Sequence, residues 1–198
     1  PFGEEYTLVA VADYVLSVKP GNTVSNLSST RALADVTRKA GGEYFAAAVG
    51  EVNVVTQMKA VNAIIGGEGN GGVIFPESHY GRDSLVGIGL FLTHLANKGI
   101  KASELRASYP AYVISKNKIE LSADLNVDLI LATVAEKYKN EKVNTIDGVK
   151  IDFPDRWVHL RKSNTEPIIR IYAEASSEAE ADTLAQQIIH VIEEIAQV

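Results

Sequence analysis

Along the first hundred residues, apolar positions alternate between helical spacing and short continuous runs. Over 4–18, Leu8, Val11, Ala12 and Val15 recur at helical spacing, and Pro20-Gly21 stops the run. A strand-like stretch over 24–27 follows. Ser28 and Ser29 then offer N-caps for a helix that reaches Lys39 and ends at Gly41-Gly42. Residues 43–49 read as a strand, and 52–63 as a helix through Val54, Val55, Met58 and Val61. After Ile64-Ile65 come a glycine-rich stretch and the apolar run Val73-Ile74-Phe75, closed by Pro76. A long apolar helix over 84–97 carries Leu85, Ile88, Leu92 and Leu95 on one face, and Gly99 ends it. Strands alternating with helices of this length predict an α/β domain with a largely parallel or mixed sheet.

The rhythm changes near Ala107-Ser108-Tyr109-Pro110, which sets the domain boundary: 1–108 and 109–198. Beyond it the pattern predicts a strand over 112–115 and a helix over 123–138. Three strands follow close together, over 149–153, 157–161 and 168–173. A final amphipathic helix begins near Glu178 and keeps Ala181, Leu184, Ile188, Val191 and Ile195 in register. Clustered strands with flanking helices predict a small α+β domain with an antiparallel sheet.

Composition narrows the function classes. A net charge of −6 argues against a nucleic-acid binder, which needs a basic surface to hold phosphates. The absence of cysteine removes disulfide scaffolds, thiolate nucleophiles and Cys-ligated metals, and fits a cytoplasmic protein. No apolar run has the length of a membrane span and no signal peptide opens the chain. The chain starts Pro1-Phe2-Gly3 and its sole methionine is Met58, so it is expected to be a piece of something longer.

Two polar constellations carry the candidate chemistry. The first is Gly66-Gly67-Glu68-Gly69-Asn70-Gly71-Gly72. Its glycines allow close backbone approach to a ligand. Glu68 can accept and Asn70 can both accept and donate, which suits vicinal sugar hydroxyls. A plain glycine-rich hairpin fits the same residues, since the stretch is neither a P-loop nor a dinucleotide fingerprint. The second is Arg161-Lys162-Ser163-Asn164-Thr165-Glu166-Pro167 with Arg170 on the following strand. Ser163, Asn164 and Thr165 supply donors, a turning backbone can form an anion nest, and Arg161 and Arg170 can clamp phosphate oxygens with forked guanidinium groups. Arg170 alternates away from Ile169 and Ile171 and so points off the core face. Arg156, Arg161, Lys162 and Arg170 together would steer an anion in an otherwise acidic chain. A Ser/Asn-rich hairpin with surface arginines is the structural alternative.

Lesser candidates are Glu51, at a helix start, and the polar loop Glu77-Ser78-His79-Tyr80-Gly81-Arg82-Asp83. His94 and His190 sit inside helical patterns and read as structural. No His/Asp/Glu set has metal-ligand spacing, and no Ser-His-Asp order suggests a hydrolase.

In this order the two loops resemble those of the α-D-phosphohexomutase superfamily, which includes phosphoglucomutases, phosphomannomutases and phosphoglucosamine mutases. Gly67-Glu68-Gly69-Asn70-Gly71 is similar to the sugar-recognition loop Gly-Glu-x-Ser-Gly of the third domain, with Asn70 where serine is usual. Residues 161–167 match the fourth-domain phosphate loop Arg-x-Ser-Gly/Asn-Thr-Glu-Pro. The Gly-Glu-x-Asn-Gly-Gly form followed by Pro-Glu, with Val49-Gly50-Glu51-Val52-Asn53, resembles the archaeal-type branch most. The resemblance covers essentially the whole chain as the C-terminal half of such an enzyme. It implies a three-layer α/β/α third domain with a mixed sheet, its first strand expected upstream of Pro1 in the complete protein, and then the α+β fourth domain.

What the resemblance implies for function is specific. Glu68, Asn70, Gly67 and Gly71 would bind sugar, and Arg161, Ser163, Asn164, Thr165 and Arg170 the phosphate that is not reacting. Hexose 1-phosphate and hexose 6-phosphate would interconvert through a phosphoserine enzyme and a bisphosphorylated sugar. The phosphoserine loop and the Asp-x-Asp-x-Asp-Arg magnesium loop belong to the first two domains, and neither occurs here, so this half is expected to hold no catalytic residue, to bind no metal and to be inactive alone. Mg²⁺ and a glucose 1,6-bisphosphate-type activator would act in the complete enzyme. The expected partners are a hexose phosphate and the missing N-terminal domains. A lysine often found before the Val-Gly pair is Ala48 here, so that substrate contact is absent or comes from elsewhere. A non-catalytic sugar-phosphate-binding module would carry the same two loops.

Overall fold

The computed structural model describes residues 1–120, 125–163 and 168–196, which fall into two compact units, Pro1–Pro110 and Ala111–Val198. The first opens with α1 (Glu4–Val18), whose Glu4 and Glu5 sit at the positive end of the helix dipole. Leu8, Val9, Ala10, Val11 and Ala12 are all buried, so this helix is enclosed on most sides rather than amphipathic. Next come β1 (Asn22–Asn26), α2 (Ala32–Lys39), β2 (Tyr44–Ala47), α3 (Glu51–Ala60), β3 (Ala63–Glu68) and β4 (Gly72–Ile74). The sheet runs β2-β1-β3-β4, with β1 parallel to both β2 and β3, and β4 antiparallel to β3. Helix α3 closes a core of Val24, Ala47, Val54, Met58, Ala63 and Ile74, while α1 and α2 pack elsewhere on the sheet. The unit ends with α4 (Ser84–Lys98) and α5 (Ala102–Ala107).

The second unit runs β5 (Val113–Glu120), α6 (Val127–Lys137), β6 (Lys142–Asn144), β7 (Val149–Asp152), β8 (Trp157–Lys162), β9 (Ile168–Ala175) and α7 (Glu178–Ala196). Its five strands are antiparallel in the order β5-β9-β8-β7-β6. Alternation divides the two faces. Val149, Ile151, Val158, Leu160, Ile169, Ile171 and Ala173 form one core with Ile130, Leu131 and Val134 of α6 and Leu184, Ile188 and Ile192 of α7. Lys150, Trp157, His159, Arg161, Arg170, Tyr172 and Glu174 take the opposite face. A mixed sheet with helices followed by an antiparallel sheet with helices is the fold class the pattern predicts.

Several local expectations are corrected. Ser28 and Ser29 do not cap α2: the Ser28 amide and the Ser29 hydroxyl both donate to Asn26 Oδ1, and Thr30 Oγ1 accepts from the Ala32 amide. Helix α3 stops at Ala60, because Asn62 adopts a left-handed φ of 50° and Ala63 already begins β3. The strand predicted over 112–115 continues to Glu120, since an edge strand tolerates the polar run Lys116-Asn117-Lys118. The helix predicted over 123–138 starts at Val127, where Asn126 Oδ1 accepts from the Leu129 amide. Helix α5 and strand β6 are too short to register as periodic patterns. The apolar stripe of α4 does not enter the core: Leu85, Ile88 and Leu92 are 78%, 55% and 57% exposed, and the helix instead buries Gly87 and His94.

Candidate functional site

In the first unit the glycine-rich stretch is the β3–β4 hairpin. Gly71 turns it with a φ of +85°, and the Gly72 amide donates to Asn70 Oδ1 at 3.1 Å. Glu68, at the end of β3, is only 6% exposed. Its Oε1 accepts from Asn26 Nδ2 at 3.1 Å and from the Gly50 amide at 3.3 Å, and its Oε2 lies 3.2 Å from Arg82 Nη1. A carboxylate offers about four acceptor positions, so these three contacts leave room for one more donor. Arg82 also bonds Glu51 Oε2 through Nε at 2.7 Å. That hydrogen bond holds the Glu51 carboxyl below the usual range and the Arg82 guanidinium above its own. Gly72 makes room for this arginine: an added Cβ would sit 2.6 Å from Arg82 Cδ.

Asp83 caps α4 by accepting from the Val86 amide at 3.0 Å, and it meets His79 Nε2 at 2.9 Å. The amide bond and then the imidazole hold its carboxyl low. An open cavity of about 380 Å³ runs past Glu51, Asn70, Gly71, Gly72, Arg82 and Asp83, the size of a small ligand pocket. Glu68 and Asn70, expected to act side by side, thus differ in kind. Asn70 is exposed on the cavity, whereas Glu68 is buried beside it as the anchor of the Arg82 network.

In the second unit Arg161 on β8 and Arg170 on β9 are direct cross-strand partners. Direct partners share a face with Cβ atoms about 4.5–5.5 Å apart, so the two guanidinium groups stand side by side. Arg161 Nη1 lies 3.6 Å from Asp147 Oδ2 in the turn before β7. The backbone carbonyl of the same Asp147 meets His159 Nε2 at 2.7 Å, and burial pushes that imidazole down to about 4. Ser163 closes the base of the hairpin, its amide donating to the Ile168 carbonyl at 3.0 Å. Asn164, Thr165, Glu166 and Pro167 lie outside the described residues.

The basic cluster expected from the sequence is divided. Lys162 points to the helical face, where its Nζ reaches Asp128 Oδ2 of α6 at 3.1 Å. Arg156 precedes β8, at the end remote from the loop, with its guanidinium over the Phe153 ring. In their place stands Lys118 of β5, the cross-strand partner of Arg170 on its other side. Among the described residues no group of three or more His, Cys, Asp or Glu could hold a metal ion, and no helix is long and apolar enough to cross a membrane.

Residues 3–112 match the model of the phosphoglucomutase/phosphomannomutase α/β/α domain III, and residues 116–191 that of the phosphoglucomutase/phosphomannomutase C-terminal domain. The chain belongs to the phosphoglucomutase/phosphomannomutase family. It is similar to a phosphoglucomutase/phosphomannomutase of Thermococcus kodakarensis, 38% identical over 191 residues, covering 95% of this chain and 41% of the relative. A phosphoglucosamine/phosphogalactosamine mutase of Sulfurisphaera tokodaii is 40% identical over 147 residues, 73% of this chain and 32% of that protein. Among solved structures, a phosphoglucomutase/phosphomannomutase family protein of Burkholderia thailandensis superposes with a TM-score of 0.78 at 27% identity, over 96% of this chain and 41% of that one. The chain thus carries domains III and IV and spans about two fifths of the length of such relatives.

Within this family frame the residues missed by sequence reasoning are Asn26, Asp147 and Lys118, while Arg82 comes from the polar loop already named as a lesser candidate. Each lies far along the chain from the loop it serves, and only strand register or a loop crossing brings it there. The one available signal was the Lys116-x-Lys118 alternation, which puts two cations on a single strand face.

Proposed function

We propose that this chain is the substrate-binding half of a phosphohexose mutase that interconverts hexose 1-phosphate and hexose 6-phosphate. The observation that supports this most is the direct pairing of Arg161 with Arg170 at the mouth of the loop that opens with Ser163. Two like charges directly opposite in a sheet are unfavourable by themselves, and a phosphate between them turns that cost into two charge-assisted contacts. Glu68 and Asn70 serve in this reading as readers of sugar hydroxyls, with Gly67 allowing the close β3–β4 approach and Gly71 making the turn. Asn164 and Thr165 complete the phosphate loop.

In the full reaction a phosphoserine gives its phosphoryl group to the sugar, and the bisphosphorylated intermediate turns over. Its other phosphate then returns to the serine. A fixed hold on the non-reacting phosphate lends binding energy to positioning the reacting end in both orientations. The phosphoserine, the magnesium ion and the response to a glucose 1,6-bisphosphate-type activator belong in this reading to parts of a cytoplasmic enzyme outside this chain.

The test is an NMR titration of the 198-residue chain with glucose 6-phosphate. Amide shifts are expected at both Glu68–Gly71 and Ser163 to Arg170, and a spectrum unmoved at saturating ligand overturns the binding assignment. The chain alone is expected not to turn over glucose 1-phosphate, and clear activity would refute placing the chemistry elsewhere. In the complete protein, Arg161→Ala or Arg170→Ala should raise KM strongly.

A further inference from the structure

We propose that Lys118 is a third cation of the phosphate site and makes that site selective for dianionic phosphate monoesters. The assignment rests on the phosphate-clamp reading of Arg161 and Arg170 and adds to it a residue more than forty positions earlier in the chain. Strand β9 lies between β5 and β8, and Arg170 pairs with Lys118 on one side and with Arg161 on the other. The three side chains therefore form one row across three adjacent strands, about 10 Å from end to end at the usual strand spacing.

The face is fixed by the neighbours of Lys118 along β5. Ser115 donates to Asp182 of α7, and Ile119 packs against the helix-covered core, so odd positions face the helices. Lys116 lies over the Tyr172 ring at 5.7 Å on the opposite face, and Lys118 follows it by alternation.

Among the described residues the charge of the row is offset only at its two ends. Lys118 Nζ meets Glu120 Oε1 at 3.3 Å, but these side chains are 62% and 76% exposed, and such pairs contribute little. Asp147 pairs with Arg161 at 3.6 Å, at the far end of the row. No ion pair of the central Arg170 is found among the described residues. Among the described residues, three cations thus face only Glu120 and Asp147, one at each end, and the centre of the row stays open to an anion. A phosphate monoester carries about −1.5 to −2 at pH 7. Its three terminal oxygens can face two planar guanidinium forks and one ammonium point charge. A sulfate ester offers the same three oxygens with a single charge, and so gains less from the third cation.

Calorimetry on the 198-residue chain with glucose 6-phosphate and glucose 6-sulfate tests the proposal. Lys118→Gln should weaken the phosphate ester at pH 7.5 by roughly 5- to 10-fold, the scale of one exposed charge-assisted contact, and the sulfate ester by less. The loss should shrink at pH 5.5, where the phosphate is largely monoanionic, and Lys118→Arg should restore affinity. If Lys118→Gln binds the phosphate ester as the parent does while Arg170→Gln loses it, the third cation is refuted and the clamp stands. If neither variant weakens binding, the clamp itself falls. Equal losses for both esters overturn the dianion selectivity. Because Lys118 lies on an exposed edge strand, unchanged tryptophan emission in Lys118→Gln will confirm that the unit is folded.

Discussion

A phosphate clamp made of opposed arginines has a consequence for stability that an ordinary surface pair lacks: removing one arginine should make the empty protein more stable. In the ligand-free second unit, Arg170 stands between Arg161 and Lys118, a like charge directly opposite on each side. Each such juxtaposition costs on the order of 0.2–1 kcal/mol. Arg170→Gln removes both at once and keeps a polar, similarly shaped side chain. The exposed position leaves little packing to lose. The unit spans Ala111–Val198, a size at which 1 kcal/mol moves the melting temperature by about 4–8 °C. The two together amount to about 0.4–2 kcal/mol, so the expected gain is roughly 2–16 °C at low ionic strength.

Trp157 makes this measurable within the right unit, because it is the sole tryptophan and is fully buried in β8. Thermal unfolding followed by its fluorescence should show the gain at about 10 mM salt, where screening acts over about 30 Å, and should lose it at 1 M, where screening acts over about 3 Å. Added phosphate should reverse the order. A ligand at a hundred times its Kd stabilises the parent by about 2.7 kcal/mol and should leave Arg170→Gln nearly unmoved. An Arg170→Lys control keeps the repulsion and should show no low-salt gain. If Arg170→Gln melts at or below the parent at low salt, and phosphate raises both proteins equally, the row is not an anion site held at a cost.

Two further outcomes follow from buried groups. Burial lowers His159 to about 4, so the unfolded chain takes up the proton first as pH falls. Stability should be complete above about pH 6.5 and decline towards pH 4 by roughly 3 kcal/mol; denaturant midpoints read from Trp157 test this, and a parent whose stability stays flat over that window, or a His159→Gln variant that still declines there, contradicts it. Gly67→Ala would drive a methyl group into the Gly72 carbonyl across the β3–β4 pair, at a cost of about 1–3 kcal/mol or more; a circular-dichroism melt within 2 °C of the parent would show that the hairpin tolerates what its geometry forbids.

The sequence made the two units legible because their cores are periodic. Alternation in β9 sorts Arg170 from Ile169 and Ile171, and the structure puts both isoleucines in the core. It failed where a residue's role depends on something other than its own period. The Leu85, Ile88 and Leu92 stripe of α4 has the spacing of a core face yet is exposed, because spacing reports that a face is apolar and not what covers it. Strand β5 looked short because Lys116 and Lys118 are hydrophilic, although alternation continues through them to Glu120. Ser28 and Ser29 had the chemistry of caps, but Asn26 Oδ1 accepts from the Ser28 amide and the Ser29 hydroxyl and ties both into a local turn before α2 begins.

The same distinction separates what each loop could reveal of its site. The arginine loop announces itself, since both guanidinium groups and Ser163 lie within ten residues and a two-residue period decides their face. The glycine loop does not. Its Glu68 looked like a free acceptor, whereas the fold surrounds it with Asn26, Gly50 and Arg82 drawn from three other segments. A buried carboxylate so held is costly to leave without its donors, which makes Glu68 a fixed reference point rather than an adaptable ligand. A hydroxyl that reaches its remaining acceptor position would meet a group that cannot move to accommodate it. Selection between sugars would then fall to the exposed partner Asn70 and to the arginine that links Glu68 with Glu51, so Arg82, a member of one of the lesser candidate loops, becomes the side chain whose replacement should alter sugar preference before it alters phosphate affinity.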